Sequence, residues 1–288
     1  MICDYPVIRV DQDIIEINEF DGVSMFLVIG SERALLVDTG VGIGDLAAFL
    51  PKLTDKPVDV VVTHNHRDHA GNAPRFERIF MSEKDKKIAP IVRPWTSASS
   101  RLQFAHRTLS MYPERTYPWT DKDIVEFTPE QEPEVIAVND GYTFDLGNRK
   151  ETVILVPGHT PGSLAILDDL TGCLIAGDCC NTTTGIGVRP LENPMMQHAT
   201  IVEALEALRR LDTMPFDRNK VFNAHTSATR HFGEPLAADV LPRLIAAMQH
   251  IVDGDYQSET EYIPVLDLHV DSARFGEILI QFHQEHIR

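Results

Sequence analysis

The sequence has few cysteines and no long apolar run. Only four of its 288 residues are cysteine, too few and too irregularly spaced for a disulfide framework, so we interpret them as reduced thiols. No stretch approaches the roughly 18 apolar residues that a membrane-spanning helix needs. The first ten residues include Asp4 and Pro6, where a secretory signal needs a basic start and an apolar run. These features predict a cytoplasmic protein without a membrane partner.

Basic residues are also scarce. Lys and Arg number 26 against 43 Asp and Glu, which gives a formal net charge of −17. This charge repels a polyphosphate backbone, so we expect no nucleic-acid partner. The net charge does not exclude a small anionic substrate, because charges inside a site can outweigh the field of the whole chain. We therefore expect a small-molecule substrate, and association of two copies into a homodimer is left open.

The spacing of apolar residues predicts an α/β fold. Strand-like runs joined by Gly and Asp turns fill residues 13–37 and indicate antiparallel hairpins. Residues 43–53 have helical spacing, and residues 58–63 are typical of a buried strand. Further strands are predicted at residues 142–146, 152–156, 164–168, 174–176 and 220–223, and helices at 200–211, 235–252 and 275–286. Two sheets packed face to face, with helices outside, would bury these elements in one domain spanning residues 1–288.

Residues 91–133 depart from this pattern. They carry five prolines and no clear period, apart from a short predicted helix over residues 101–111. Long segments of this kind in compact folds are often functional. We therefore expect a lid-like insertion, in which Tyr112 and Tyr117 either close over a site or pack the lid, and His106 lies at the surface.

Four residues whose side chains can bind a metal follow the predicted strand 58–63 within a few positions. They are His64, His66, Asp68 and His69. On a loop at a strand end, the first two can turn to one metal while the last two turn to a second. Imidazole and carboxylate ligands suit zinc, and also iron or manganese. Three histidines and an aspartate at this density predict a metal site.

Three further candidates occupy the same kind of position. His159 follows the predicted strand 152–156, Asp178 follows 174–176, and His225 follows 220–223. Each alone is more often structural. Their shared position at strand ends is what favours a common site, because such ends meet at one edge of a sheet.

Together these motifs resemble the metallo-β-lactamase superfamily, and within it the dinuclear glyoxalase II-like hydrolases. The pattern His-x-His-x-Asp-His occupies residues 64–69, and Pro-Gly-His-Thr-Pro-Gly-Ser occupies residues 157–163. Gly-Asp at 177–178, Asn-Ala-His-Thr at 223–226 and the Asp-Thr-Gly turn at 38–40 are also similar to the family's motifs. The resemblance implies an αβ/βα four-layer sandwich of two mixed β-sheets flanked by helices.

The resemblance also implies a ligand set. His64, His66 and His159 would hold one divalent metal ion, Asp68, His69 and His225 a second, and Asp178 would bridge them, with zinc preferred over iron or manganese. A hydroxide shared by the two metals would attack the substrate, with Asp68 orienting it or relaying a proton. Asp38 would support the metal loop or simply form its turn.

Several residues are open candidates for substrate contact. His198 precedes a predicted helix and could donate to an oxyanion, while His231 is typical of the surface. Cys179 and Cys180 follow Asp178 and either line the pocket or are small buried residues. Arg189 could meet an anionic group, and Met195 and Met196 could form an apolar wall. The C-terminal segment lacks the basic residues with which glyoxalase II holds glutathione, so those binding residues are not carried over.

The leading hypothesis is hydrolysis of a small ester, thioester, lactone or β-lactam. A mononuclear iron persulfide dioxygenase of the same superfamily is the alternative in redox chemistry. Retention of Asp68, His69 and His225 favours the dinuclear hydrolase. A phosphodiesterase is a third hypothesis, and the net charge disfavours it. A binding-only role predicts lost ligands, whereas every ligand position is filled.

Overall fold

The computed structural model describes residues 4–19, 22–92, 97–111, 120–125, 132–188, 199–226, 230–263 and 268–288. In these residues the strands are β1 (Val7–Asp11), β2 (Ile14–Asn18), β3 (Ser24–Ile29), β4 (Ala34–Val37), β5 (Val58–Val61), β6 (Arg78–Ser82), β7 (Glu134–Val138), β8 (Thr143–Asp145), β9 (Lys150–Leu155), β10 (Leu164–Asp168), β11 (Leu174–Ile175), β12 (Thr183–Ile186), β13 (Val221–Phe222), β14 (Ser258–Ile263), β15 (Leu268–Phe275) and β16 (Ile278–Phe282).

The helices lie between groups of strands along the chain. They are α1 (Leu46–Phe49), α2 (Arg67–Ala70), α3 (Glu83–Val92), α4 (Ala98–Met111), α5 (Asp121–Val125), α6 (Ile201–Asp212) and α7 (Val240–Asp253). Short 3₁₀ turns occupy Leu50–Lys52, Ala73–Arg75 and Gln284–His286. A capping box in which Thr200 and Glu203 exchange hydrogen bonds begins α6. Gly254, in the left-handed conformation with φ 77°, ends α7.

The described strands form three sheets. The first sheet has the order β1-β2-β3-β4-β5-β6-β7, antiparallel from β1 to β4 and parallel from β4 to β7. The second sheet has the order β13-β11-β10-β9-β8. The third sheet, β12-β16-β15-β14, was not predicted from the sequence. In it the short strand β12 runs parallel to β16, so residues far apart in the chain become neighbours.

Three buried clusters define the layers. Phe26 and Val61 of the first sheet pack against Leu164 and Phe222 of the second, which makes the interface between the two sheets. The outer face of the first sheet packs against α1, α4 and α5. The outer face of the second sheet packs against α6, α7 and strands of the third sheet. The predicted four-layer α/β sandwich is therefore confirmed, with the third sheet as an addition.

The helix predicted at residues 275–286 is wrong. These residues form the end of β15, a turn at Gly276 with φ 63°, β16 and a 3₁₀ turn. Ile278, Ile280 and Phe282 are buried while the residues between them are half-buried. That alternation has a period of two and belongs to a strand. The Glu, Gln and Leu residues of this segment favour a helix by propensity, whereas its tertiary contacts favour a strand.

The segment predicted as a lid is helical in its described part. Ala105 of α4 and Ile124 of α5 are fully buried in the layer outside the first sheet. Arg101 is fully buried as well, and its guanidinium donates to the carbonyl of Ile124 at 3.1 Å. Tyr112 and Tyr117 lie outside the described residues, so closure over a site stays a prediction.

Among the described residues, none of the helices combines the length and apolarity that crossing a bilayer requires.

Candidate metal centre

All seven predicted metal ligands come together at one end of the sheets. His64 and His66 follow β5, and α2 carries Asp68 and His69. The other three follow strands of the second sheet, as their positions in the sequence indicated: His159 after β9, Asp178 after β11 and His225 after β13. Their ligand atoms form three groups, each with all atoms within 4.8 Å of one another. These groups are His64–His66–His159, Asp68–His69–His225 and His64–His69–Asp178.

The first group consists of imidazoles from two different sheets. His159 Nε2 lies 2.9 Å from His66 Nδ1, and the ring centroids of His64 and His66 are 4.6 Å apart. His64 is fully buried, whereas His66 and His159 are half-buried. The group therefore has a closed side formed by the core and an open side toward solvent.

The second group combines a carboxylate with two imidazoles. Asp68 Oδ2 lies 3.9 Å from His69 Nε2 and 3.7 Å from His225 Nε2. Asp178 lies between the two groups. Its Oδ2 is 3.4 Å from His159 Nε2, 3.7 Å from His69 Nε2 and 3.1 Å from His225 Nε2. Asp178 thus reaches ligand atoms of both groups.

Three buried ligand atoms have no hydrogen-bond partner among the described residues. They are His64 Nε2, His69 Nε2 and Asp178 Oδ1. A buried polar atom left unsatisfied costs about 1–3 kcal/mol, so three of them at one point need an explanation. Lone pairs of imidazole and carboxylate aimed at one space are what a divalent cation binds. The donor set therefore fits a metal centre.

The protonation states suit metal binding in the first group. Burial lowers the pKa of His64 well below its usual value, and burial together with His159 lowers the pKa of His66 to about 3. These rings are neutral, which is the form that ligates metals. Burial opposes ionisation of Asp178, yet His225 and His69 outweigh it and hold its pKa well below the usual range. Asp178 is therefore ionised, as a carboxylate that binds a cation has to be.

Asp38 orients the metal loop. It adopts the left-handed conformation with φ 66°, rare for a residue other than glycine, and is buried. Its carboxylate accepts from Thr63 N at 2.7 Å, from Thr63 Oγ1 at 2.9 Å and from His69 Nδ1 at 2.8 Å. In the neutral ring this bond leaves the lone pair of His69 on Nε2, facing the centre.

Hydrogen bonds orient two rings of the first group in the same way. Thr63 Oγ1 donates to Asp38, so it accepts a hydrogen bond from His64 Nδ1–H, 3.1 Å away. His159 Nδ1 lies 3.1 Å from the carbonyl oxygen of Gly185 in β12 and donates to it. Both rings then present Nε2 to the centre. The third sheet thereby takes part in the site.

Sequence reasoning missed two buried anchors. Arg230 donates to the Glu16 carboxylate, to Asn223 O at 2.7 Å and to Asn223 Oδ1 at 3.0 Å. Since Asn223 precedes His225 by two residues, this ion pair fixes the strand end that carries a ligand. Glu19 accepts from the backbone N–H groups of residues 41–43, just after the Asp-Thr-Gly turn. Neither carboxylate lies in a motif, and a charged residue inside an apolar strand such as β2 was the available signal.

The remaining candidates for substrate contact fall into core residues, surface residues and residues outside the described part of the chain. The Cys179 thiol contacts the carbonyls of Val156 and Leu164 at 3.7 Å, and Cys180 is fully buried, so both behave as small core residues. His106 lies 2.8 Å from Asp121 in an exposed ion pair, and His231 is exposed. His198, the predicted oxyanion donor, lies outside the described residues, as do Arg189, Met195 and Met196. Their roles stay predictions.

Comparison with known proteins gives a consistent result. The sequence profile of the metallo-beta-lactamase superfamily matches residues 18–218, more than half of the chain. A human relative, "Acyl-coenzyme A thioesterase MBLAC2", is 28% identical over 174 residues, which are 54% of this chain and 57% of that protein. The chain therefore spans little more than half the length of this curated relative.

Solved structures are similar in fold. A metallo-beta-lactamase from Pontibacter korlensis superposes with a TM-score of 0.54 at 16% identity, over 85% of this chain and 99% of that one. A beta-lactamase domain protein from Burkholderia ambifaria superposes with a TM-score of 0.56 at 20% identity, over 87% of this chain and 77% of that one.

Proposed function

This chain belongs to the metallo-beta-lactamase superfamily, and we propose that it is a metal-dependent hydrolase that cleaves the thioester of an acyl-coenzyme A. The observation that carries the proposal is the convergence of seven candidate ligand side chains in overlapping groups, with three buried ligand atoms that have no hydrogen-bond partner in the described part of the chain. The choice of thioester among the carbonyl substrates rests on the name of the human relative.

Two divalent ions suit this donor set. His64, His66 and His159 would hold one, Asp68, His69 and His225 the other, and Asp178 would contact both. The imidazole-rich ligands favour zinc. When bound, such ions polarise a carbonyl oxygen and lower the pKa of a water molecule toward about 7.

The chain's own residues supply orientation and proton handling. Asp68 is the more accessible of the two carboxylates, with 21% of its side chain exposed against 6% for Asp178. We assign it to orienting the attacking water and accepting its proton. Asp38, Thr63 and Gly185 hold the imidazole rings, so that little reorganisation accompanies the reaction.

The charge of the chain separates this proposal from a phosphodiesterase acting on nucleic acid. With a net charge of −17, binding of a long phosphate backbone is disfavoured over most of the surface. A coenzyme A ester carries its few charges far from the reacting carbonyl. Its thioester needs only a small site, such as the open side of the first group.

The test combines metal content with substrate preference. Protein purified without added metal is analysed for its elements. It is then assayed against acetyl-, octanoyl- and palmitoyl-coenzyme A, a lactone, a β-lactam and a phosphodiester, with released thiol measured for the thioesters. Asp178→Ala is the loss-of-function variant. Asp55→Ala is the matched control, because the Asp55 side chain is 92% exposed.

We expect about two zinc ions per chain and thioester cleavage that Asp178→Ala abolishes and Asp55→Ala retains. Cleavage of the lactone or β-lactam alone would retain the hydrolase and reject the thioester. About one iron ion per chain, with oxygen uptake on a persulfide and no hydrolysis, would replace the hydrolase with a dioxygenase.

A further inference from the structure

A fully buried carboxylate outside the ligand set lies between two ligand loops. Asp85 is the third residue of α3, directly after β6, and is 0% exposed. Its Oδ2 accepts from the backbone N–H of Asn65 at 2.9 Å and from the hydroxyl of Thr160 at 2.9 Å. Asn65 stands between the ligands His64 and His66 in sequence, and Thr160 follows His159. One oxygen atom therefore joins both loops of the first group.

The loop after His159 is shaped around this carboxylate. The backbone N–H of Thr160 donates to Ser163 Oγ at 2.9 Å, and the hydroxyl oxygens of Thr160 and Ser163 lie 2.9 Å apart. A Cβ at Gly162 would overlap both Asp85 Oδ1 and Ser82 Oγ. Glycine at this position of the Pro-Gly-His-Thr-Pro-Gly-Ser motif thus lets the loop approach Asp85 closely.

We infer that Asp85 is a positioning residue for the first group: by tying the loop of His66 to the loop of His159, it sets the separation of those two imidazoles. The inference rests on the proposed function, because it concerns the same metal centre. The two rings belong to loops of different sheets, so their relative position depends on contacts that cross between the sheets. Besides Asp85, the bond from Leu164 N to Thr63 O, 2.9 Å long, makes such a crossing.

The second group has its own supports. Asp38 holds the His69 ring, and Thr39 N donates to the carbonyl of His69 at 2.7 Å. His225 is held by a β-bridge to Val23. A substitution at Asp85 should therefore weaken metal binding by the first group more than by the second. Such selectivity distinguishes positioning from a general loss of stability.

The test is a titration of metal-free protein with Co²⁺, followed by visible absorption and calorimetry. Asp85→Ala removes the acceptor that both loops share, whereas in Asp85→Asn the amide oxygen keeps two lone pairs and can accept from both Asn65 and Thr160. Thr160→Val removes the hydroxyl that contacts Asp85 and Ser163, and Thr160→Ser restores it. Asp168→Ala is the matched control, because Asp168 is a buried aspartate paired with Arg149 outside the centre.

We expect Asp85→Ala to lose affinity for one of about two Co²⁺ ions by about 10–100-fold and to retain the other, and Asp85→Asn to restore most of that affinity. Thr160→Val should lose less than Asp85→Ala, Thr160→Ser should match the wild type, and the effects of Asp85→Ala and Thr160→Val should not add. Unchanged affinity in Asp85→Ala, equal loss of both ions, or a similar loss in Asp168→Ala would overturn the inference. Wild-type protein that binds no Co²⁺ would overturn the proposed function and this inference together, whereas the preceding outcomes would leave the proposed function intact.

Discussion

Replacing Arg230 by methionine should lower the free energy of unfolding by about 3–5 kcal/mol. The side chains of Arg230 and Glu16 are 1% and 0% exposed, so the substitution would leave a carboxylate buried without its cation. It would also remove the hydrogen bonds that Arg230 donates to Asn223 O and Asn223 Oδ1. The guanidinium further contacts the rings of both Phe26 and Phe222, 5.7 Å and 5.6 Å from their centroids. Loss of these cation–π contacts places the expected value in the upper part of the range.

The assay is urea unfolding of wild type and variant, both with a chelator, so that metal binding does not add to stability. With a slope of about 3 kcal/mol per M, the loss corresponds to a fall of about 1–1.7 M in the midpoint. Arg9→Met is the control, because Arg9 and Asp13 form a pair whose side chains are 59% and 46% exposed. It should change stability by less than about 1 kcal/mol. A similarly small change in Arg230→Met would refute the reasoning that burial of this pair governs its energetics.

Three further outcomes are expected. Asp38→Ala should weaken metal binding about 10–100-fold in calorimetry, because His69 loses the bond that orients it, and unchanged affinity would contradict this role. Although burial raises the pKa of Asp168, hydrogen bonds from Arg149 and other donors hold it at about 2, below its unfolded value. The ionised carboxylate therefore stabilises the fold above about pH 4, and about 2 kcal/mol should disappear as the pH falls toward 2. Acid unfolding curves of Asp168→Asn should lack this step, and identical curves would reject it. Gly71→Ala should destabilise the protein far more than Gly141→Ala, because only at Gly71 would the new Cβ overlap a backbone carbonyl; equal melting temperatures would contradict this.

Local pattern was sufficient to locate the ligands. Five of the seven lie on loops directly after strands and Asp68 and His69 on the helix α2 that follows, and residues at strand ends are expected to meet at one edge. The helices over residues 200–211 and 235–252 were predictable because their apolar faces are long and periodic. The structure begins the second of these at Val240 rather than at residue 235.

Contacts between distant parts of the chain were not predictable. The partners of Asp85 and Glu16 are far along the chain, Thr160 for one and Arg230 for the other, so neither contact was predictable from local pattern, although the charge of Glu16 inside an apolar strand indicates that it needs a partner. The third sheet escaped prediction for a similar reason. Its strand β12 is only four residues long and is defined by its pairing with β16. Such pairing depends on tertiary context rather than on local propensity.

The pairing of β12 with β16 has a consequence for biosynthesis. Gly185, whose carbonyl oxygen orients the His159 ring, is aligned in β12 with Gln281 of β16. During synthesis a chain emerges from its N-terminus, so β16 leaves the ribosome long after all seven ligands have done so. Until then β12 lacks the neighbour that fixes its position, and the His159 ring lacks a fixed acceptor. We therefore expect a nascent chain that has exposed every ligand to hold metal poorly in the first group, and loading of the centre to be a late step in maturation.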